Sequence, residues 1–303
     1  MSMPVNSPVV PAAAGPLARW GQLARLVRLP NLLIIVLTMA LTQACLLAPE
    51  QPLAALLDVR FGLVVLATVC VAAAGYIIND YYDVKIDAIN RPGTLVVGQA
   101  VGRRSAMMAH LVLSVEGVAV AGAMSRVVGL VTAGAALLLW GYSARFKRLA
   151  LVGNLSIAAL TAASVLLPEL LRRTGSAAVW AYALAAFLLT VVREIIKDIE
   201  DMRGDAQHGC RTLPIVAGVA RSKWVAGLFL LLLLALVSGA VLAAFGQGEW
   251  RMALWLLGTV LGPGAMLGRQ LLRADRRRDF ARLSLLCKLV MLGGVLSMLV
   301  LGR

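Results

Sequence analysis

Nine apolar runs divide the chain, and each is long enough to cross a membrane as a helix. The hydrocarbon core of a bilayer is about 30 Å thick, so about 20 apolar residues suffice for one helical crossing. The runs cover approximately residues 31–48, 61–79, 106–124, 127–143, 152–171, 177–193, 224–245, 251–268 and 283–301. The pattern predicts an all-α integral membrane protein built as a bundle of nine transmembrane helices.

The first thirty residues differ from the rest of the chain. They are rich in Pro and Ala, and Arg19, Arg25 and Arg28 lie close to the first apolar run. They lack the signal-peptide order of a charged start, an apolar stretch and a small-residue cleavage site. We therefore expect residues 1–30 to form a cytoplasmic tail with an interfacial helix, and residues 31–303 to form a single polytopic domain.

The composition supports the membrane assignment. Hydrophobic residues make up 60% of the chain and charged residues 15%, whereas soluble domains carry about 25% charged residues. This excludes a soluble enzyme and a disordered chain. The four cysteines stand alone without metal-binding spacing, which excludes a disulfide scaffold.

The positive charges are distributed unevenly between the two predicted sides of the membrane. The net charge of +14 would suggest nucleic-acid binding in a soluble chain. Here 22 Lys and Arg residues lie on the side of the N-terminus and six on the opposite side, with Lys288 inside the last span. Since cytoplasmic loops concentrate Lys and Arg, we expect a multi-pass protein of a bacterial or archaeal plasma membrane. Its N-terminus is predicted to be cytoplasmic and its C-terminus outside, with membrane lipids and no nucleic acid as partners.

Two short acidic segments stand out on the predicted cytoplasmic side. Residues 79–87 read NDYYDVKID and residues 197–205 read KDIEDMRGD. Both contain DxxDxxxD, and each matching pair of aspartates is separated by 118 residues. The repetition predicts two related four-helix halves, each with one acidic segment at the cytoplasmic end of its second helix.

The spacing of these aspartates predicts a cation site. Positions i, i+3 and i+7 fall on one stripe of a helix, where three like charges repel one another. Ligand sets made only of oxygen select hard metals, and Mg²⁺ typically combines one or two carboxylates with phosphate oxygens of the substrate. Two facing stripes would hold two or more Mg²⁺ ions with a diphosphate between them. The alternative is a pair of solvated loops whose acids offset nearby basic residues.

Basic side chains surround both acidic segments, as an anionic ligand would require. Lys147 and Arg193 are the foremost candidates, because a cation beside a membrane-embedded acidic site is otherwise unexplained. The wider set of polar candidates comprises Arg91, Arg103, Arg104, Tyr142, Arg145, Arg148, Lys197, Arg203 and Arg211.

These motifs together resemble those of the UbiA-type membrane prenyltransferases. NDYYDVKID followed by INRP is similar to the first signature of that family, and REIIKDIEDMRGD followed by RTLP is similar to the second. YSARFKRLALVGN resembles the tyrosine–lysine loop between the fourth and fifth helices. The resemblance implies a nine-helix bundle with both aspartate motifs at the cytoplasmic face, above a lateral, lipid-facing chamber.

The resemblance also implies roles for individual residues. Lys147 with Tyr142 would contact the diphosphate, and Arg91, Arg148, Arg193 and Lys197 are further substrate-binding candidates. The metal ligands implied by the two motifs are Asn79, Asp80, Asp83, Asp87, Asp198, Asp201 and Asp205.

The sequence predicts transfer of a polyprenyl group from its diphosphate to a lipophilic acceptor, with Mg²⁺ as cofactor and Asp83, Asp201 and Lys147 as catalytic residues. The KDIEDxxGD form most resembles the branch that alkylates geranylgeranylglyceryl phosphate. The residues after Arg91-Pro92 depart from the family pattern, however, which leaves the acceptor open. An aromatic acceptor such as a hydroxybenzoate or naphthoate is the alternative within the enzyme class, and a cation-coupled transporter is the alternative outside it. The general base is also left open between Asp198, Asp80 and a phosphate oxygen.

Overall fold

The protein is a bundle of long helices. A computed structural model describes residues 16–90 and 95–301, with side chains at 20–84 and 95–301. This part of the chain contains two π-helical turns. Thr42–Leu47 extends the helix that ends at Leu41, and Leu257–Leu261 joins the helix that ends at Leu256 to the helix that begins at Gly262. The α-helices are α1 (Pro16–Leu26), α2 (Leu29–Leu41), α3 (Pro52–Leu56), α4 (Val59–Asn90), α5 (Arg103–Met124), α6 (Arg126–Ala144), α7 (Val152–Arg172), α8 (Ala177–Gln207), α9 (Leu213–Gly246), α10 (Trp250–Leu256), α11 (Gly262–Arg273) and α12 (Arg277–Ser297).

Eight helices in the described part of the chain are long and apolar enough to cross a membrane. They correspond to eight of the nine predicted spans, and the chain is a multi-pass membrane protein. The predicted span at 251–268 does not form one long α-helix, because the π turn divides it. Nevertheless α10, the π turn and α11 follow one another without a non-helical residue between them.

The helices α4 and α8 carry the two aspartate motifs at equivalent positions. They contain 32 and 31 residues, which corresponds to about 48 Å of helix against a hydrocarbon core of about 30 Å. They begin at Val59 and Ala177, the same 118 residues apart as the aspartates. Asp80 therefore lies about 32 Å along α4 from Val59, and Asp198 lies the same distance along α8 from Ala177. We call the end of the bundle where α4 and α8 finish the aspartate end, and the opposite end the far end.

The described residues contain four clusters of buried side chains, and the two largest form most of the core. The larger lies among α8, α9, α10, α11 and α12 and includes Ile195, Leu230, Leu267 and Leu283. The smaller lies among α2, α4, α5, α6 and α7 and includes Met39. Together they leave the space between α4 and α8 open at the aspartate end.

The contact between α4 and α5 gives His110, an ionisable residue inside a predicted span, a hydrogen-bond partner. The buried His110 of α5 has its Nδ1 atom 3.1 Å from the carbonyl oxygen of Ala74 in α4. The same two helices approach closely at Gly117, where an added Cβ would lie 2.8 Å from the carbonyl oxygen of Ala67. His110 therefore joins two helices.

Candidate active site

A large cavity lies between the two aspartate motifs. Its volume is about 1710 Å³, and its walls come from α2, α4, α6, α7, α8 and α12. The structure therefore brings together the two segments that the sequence places 118 residues apart. The side chain of Asp87 and the whole of Arg91 fall outside the described residues. The motif residues that line the cavity are Asn79, Asp80, Asp83, Asp198, Asp201 and Asp205.

Lys147 binds directly to the first motif. Its Nζ atom lies 2.5 Å from Oδ1 of Asp83 and 3.3 Å from Oδ1 of Asn79. The side chains of Lys147 and Asp83 are only 13% and 16% exposed. In this largely dry environment the ammonium group compensates the charge of Asp83. Asp80, on the same helix, pairs instead with Arg28 at 3.4 Å.

The short turn that carries Lys147 is fixed by its neighbours. Residues Phe146–Arg148 form a 3₁₀ turn after α6, and the amide of Arg211 donates a hydrogen bond of 2.7 Å to the carbonyl oxygen of Arg148. Behind the turn, an added Cβ on Gly153 would lie 3.0 Å from the Cα atom of Lys147. The close packing of α7 on this turn favours a glycine at position 153, and the turn places Lys147 beside α4.

The second motif has a different set of partners. Lys197 lies 3.3 Å from Oδ2 of Asp201, one helical turn away on α8. Asn154, buried in the first turn of α7, donates a hydrogen bond of 2.8 Å to Oδ2 of Asp198. Sequence reasoning did not identify Asn154 as a site residue. The one signal for it was its place at the end of the YSARFKRLALVGN segment.

Several other polar residues take part in the site, and some predicted ones do not. The substrate-binding candidates Tyr142, Arg148 and Arg193 line the cavity, and Arg193 forms an ion pair with Glu194. Glu194 was not predicted, although it follows Arg193 directly in the second signature. Arg103, proposed above as an anion contact, instead places its guanidinium 4.2 Å from the ring centroid of Tyr81.

The donor set suits a hard divalent cation. Carboxylate and amide oxygens from two helices face one cavity, and such oxygens are the ligands that Mg²⁺ uses in proteins. Among the described residues, no group of three or more acidic, histidine or cysteine side chains is arranged to hold a metal ion by itself. Mg²⁺ commonly binds to one or two carboxylates and completes its coordination with waters and substrate phosphate oxygens.

Cys210 is a cavity-lining thiol just after the second motif. Burial raises the pKa of this thiol, and the nearby carboxylate of Asp205 raises the same pKa further. Since the thiolate is the reactive form of cysteine, Cys210 is poorly suited to act as a nucleophile at neutral pH.

The remainder of the cavity wall is mostly apolar and extends from the aspartates towards the far end. This composition suits a long hydrocarbon chain attached to a charged group at the aspartate end. Representative lining residues are Leu37, Val71, Leu139, Leu189, Met291 and Val295.

Comparisons with known proteins agree with this architecture. The sequence profile of the UbiA prenyltransferase family matches residues 32–291. A protein of Thermococcus kodakarensis named digeranylgeranylglyceryl phosphate synthase is 32% identical over 239 residues, which cover 78% of this chain and 84% of that protein. A protein of the same name from Pyrococcus abyssi is 38% identical over 171 residues, 56% of this chain and 61% of the relative. The latter alignment thus spans less than two thirds of the relative's length.

Solved structures share the fold at lower sequence identity. One, from a study of digeranylgeranylglyceryl phosphate synthase in membranes, aligns with a TM-score of 0.74 and 22% identity over 94% of this chain and 98% of that chain. Another, a UbiA homolog from Archaeoglobus fulgidus bound to GPP and Mg²⁺, aligns with a TM-score of 0.65 and 19% identity over 91% and 99% of the two chains. With a family profile that matches most of its length, the chain belongs to the UbiA prenyltransferase family.

Proposed function

We propose that this protein transfers a geranylgeranyl group from geranylgeranyl diphosphate to a hydroxyl of geranylgeranylglyceryl phosphate. The observation that carries the proposal is that both aspartate motifs line one cavity with Lys147 and Arg193, and that most of the remaining wall of this cavity is apolar. A diphosphate with a long isoprenoid tail has the same division into a charged and an apolar part.

The relatives support both the donor and the acceptor. The curated relatives from T. kodakarensis and P. abyssi carry the name digeranylgeranylglyceryl phosphate synthase. The A. fulgidus homologue has been solved with GPP and Mg²⁺ and with DMAPP and Mg²⁺. GPP and DMAPP are allylic diphosphates, and Mg²⁺ is a divalent metal. Both kinds of ligand suit a cavity with carboxylates and basic side chains at one end.

The two motifs would hold Mg²⁺ with the donor diphosphate. When bound, Mg²⁺ supplies charge neutralisation and Lewis-acid polarisation of the leaving group. Among the ligands, Asp83 and Asp201 are assigned as catalytic because they lie in the centre of the two stripes. The full set proposed to hold the metal is Asn79, Asp80, Asp83, Asp87, Asp198, Asp201 and Asp205.

The basic residues of the cavity stabilise the charge that develops on the leaving group. As the bond between C1 and the diphosphate oxygen breaks, the electron pair moves to the diphosphate. Lys147 and Arg193 face the same space and can donate charge-assisted hydrogen bonds to its oxygens. We assign Tyr142, Arg148, Lys197 and Arg91 to the same substrate-binding set.

The apolar part of the cavity protects the allylic cation from water. The acceptor hydroxyl forms the new bond to C1, and its proton passes to a carboxylate or phosphate oxygen at the aspartate end. Asp198 and Asp80 both line that end. Asn154 positions Asp198 through its hydrogen bond.

We infer that α10, the π turn and α11 form a ninth span, and that the chain consists of two related four-helix halves. The equal 118-residue offsets of the helix starts and of the aspartates support the repeat. The distribution of Lys and Arg supports an aspartate end that faces the cytoplasm. A transporter would hold its ion near the middle of the membrane, whereas both motifs here lie at one end of the bundle.

The proposed reaction is tested with the purified protein in phosphatidylcholine nanodiscs. Labelled geranylgeranyl diphosphate and Mg²⁺ are supplied with geranylgeranylglyceryl phosphate, hydroxybenzoate or naphthoate, and the lipid products are identified by mass spectrometry. We expect the ether product with the glyceryl phosphate alone and its loss when EDTA removes the metal. A prenylated aromatic product, or no product from any acceptor, would contradict the proposal.

A further inference from the structure

The cavity reaches the lipid-facing surface between α2 and α12. Ile34 of α2 and Leu292 of α12 both line the cavity, yet they are 56% and 46% exposed on the surface. α2 packs on α4 and α7, whereas α12 packs on α8 and α11. The two helices meet at the far end, where the hydroxyl of Thr42 donates to the sulfur of Met298 at 3.8 Å. The gap between α2 and α12 is therefore an opening that is closed at its far end.

Lys288 lies on the rim of this opening. It belongs to α12, eleven residues after Arg277, which places it about 16 Å along the helix. Its side chain is exposed and also lines the cavity. A charged residue at membrane depth is costly, and such residues usually mark a functional site.

The amine of Lys288 has no partner in the described part of the chain. No hydrogen bond or ion pair joins it to another described residue. By contrast, four cations that line the cavity near the motifs contact carboxylates. These pairs are Arg28 with Asp80, Lys147 with Asp83, Arg193 with Glu194 and Lys197 with Asp201.

The depth of Lys288 is fixed by its neighbour in the sequence. The buried thiol of Cys287 lies within electrostatic range of Arg193 and Glu194 on α8. Arg193 and Glu194 precede Lys197 and Asp198 by one helical turn. Lys288 therefore lies at about the depth of Arg193 and Glu194, further from the aspartate end than the second motif.

We propose that Lys288 binds the phosphate of the lipid acceptor as this lipid enters between α2 and α12. The inference rests on the proposed function. With the donor diphosphate held by the aspartates, C1 points away from them, towards the apolar part of the cavity. The acceptor hydroxyl must reach C1 at that depth, and in geranylgeranylglyceryl phosphate the phosphate is on the adjacent glycerol carbon.

The shape of the lysine side chain suits this position. A lysine side chain can lay its apolar stem along an apolar rim and extend its ammonium group to a polar partner. An amphiphile that arrives laterally presents its head-group at the rim before its hydroxyl reaches C1. Lys288 thus recognises the acceptor and leaves the donor to the residues of the aspartate end.

The experiment compares the full chain with Lys288→Met, Lys288→Arg and Arg269→Gln in phosphatidylcholine nanodiscs, where the donor and the acceptor are the only anionic lipids. Arg269 is the matched control, because it is an exposed cation of the neighbouring α11 that does not line the cavity. KM is measured for geranylgeranyl diphosphate, for geranylgeranylglyceryl phosphate and for phosphate-free geranylgeranylglycerol.

For Lys288→Met we expect at least a tenfold higher KM for the phosphorylated acceptor and an unchanged KM for the donor. Lys288→Arg should restore most of the affinity, and the phosphate-free acceptor should not distinguish Lys288→Met from the parent protein. An unchanged acceptor KM would overturn the inference, as would an equal rise in donor KM. A defect that appears only when the nanodiscs contain phosphatidylglycerol would assign Lys288 to bulk lipid and also overturn it.

The proposed function and this inference fail in different ways. If the parent protein makes no ether lipid from the glyceryl phosphate, the proposed function is wrong. If the parent protein makes it and Lys288→Met behaves identically, only the role of Lys288 is wrong.

Discussion

At the scale of single residues, the ammonium group of Lys147 connects the turn after α6 to the first aspartate motif. It contacts one oxygen of Asp83 and one of Asn79, the two residues that the family resemblance assigns to the metal. A cation thus already compensates this part of the site without a ligand. Mg²⁺ held by these residues would take over this compensation, and Lys147 would then contact the leaving group of the proposed reaction.

We expect Lys147→Met to lower kcat about 100-fold, the usual effect of the loss of one donor to a developing negative charge. The loss should appear in steady-state measurements of diphosphate release. Lys223→Met provides the control, because Lys223 does not line the cavity, and its kcat should stay within twofold of the parent value. A kcat within twofold of the parent in Lys147→Met would remove Lys147 from the catalytic set.

Cys210 offers a pH-dependent reporter at the same end of the bundle. Because burial and Asp205 raise the pKa of its thiol, its thiolate fraction at any given pH is smaller than that of an ordinary cysteine. The rate of alkylation by iodoacetamide should therefore continue to rise at pH values where glutathione has reached its plateau. Peptide-resolved mass spectrometry measures this rate, and Asp205→Asn should increase it at pH 8. A Cys210 rate that levels off before that of glutathione would contradict the assigned environment.

At the scale of elements, the contact between the Lys147 turn and α7 determines where the lysine points. The turn has the carbonyl oxygen of Arg148 bound by Arg211, and Leu151 adopts a left-handed φ of 62° just before α7. Such a backbone conformation is costly for leucine. The surrounding contacts keep it in place.

Gly153→Ala should displace this turn by a few tenths of an ångström, because the new Cβ would lie 3.0 Å from the Cα of Lys147. We expect about a tenfold loss of kcat with normal membrane insertion, since misplacement of a catalytic group lowers the rate steeply. Gly239→Ala is the control, because nothing lies within 4 Å of an added Cβ there. Equal kcat values for the two variants would show that the packing of α7 does not position Lys147.

Most elements could be predicted from hydrophobic runs alone, because membrane spans need continuous apolar sequence. The predicted run 127–143 and the observed helix Arg126–Ala144 differ by one residue at each end. The structure of the eighth run, 251–268, was harder to predict, because hydropathy carries no signal for the π turn at Leu257–Leu261 that divides it. The short helix Pro52–Leu56 is too brief to leave an apolar run of its own.

At the scale of the whole molecule, the bundle brings two distant acidic segments to one cavity. The order of the predicted spans placed both segments on the same side of the membrane. The periodicity of the aspartates predicted that each set lies on one stripe of a helix. The cross-links could not be predicted from sequence, because the contacts of Lys147 with α4 and of Asn154 with Asp198 depend on tertiary packing. Arg28 and Glu194 were missed for the same reason.

The central claim is that the two motifs act together on one diphosphate. The most direct measurement is a double-mutant cycle on Mg²⁺-dependent binding of geranylgeranyl thiolodiphosphate, an analogue that resists cleavage. It compares Asp83→Ala, Asp201→Ala and the double variant, with Glu50→Gln as an exposed control away from the cavity. If the motifs share the ligand, each single variant should lose about 100-fold in affinity and the double variant little more, since coupled residues are not additive. Independent, additive losses, or full binding after removal of either aspartate, would contradict a shared site.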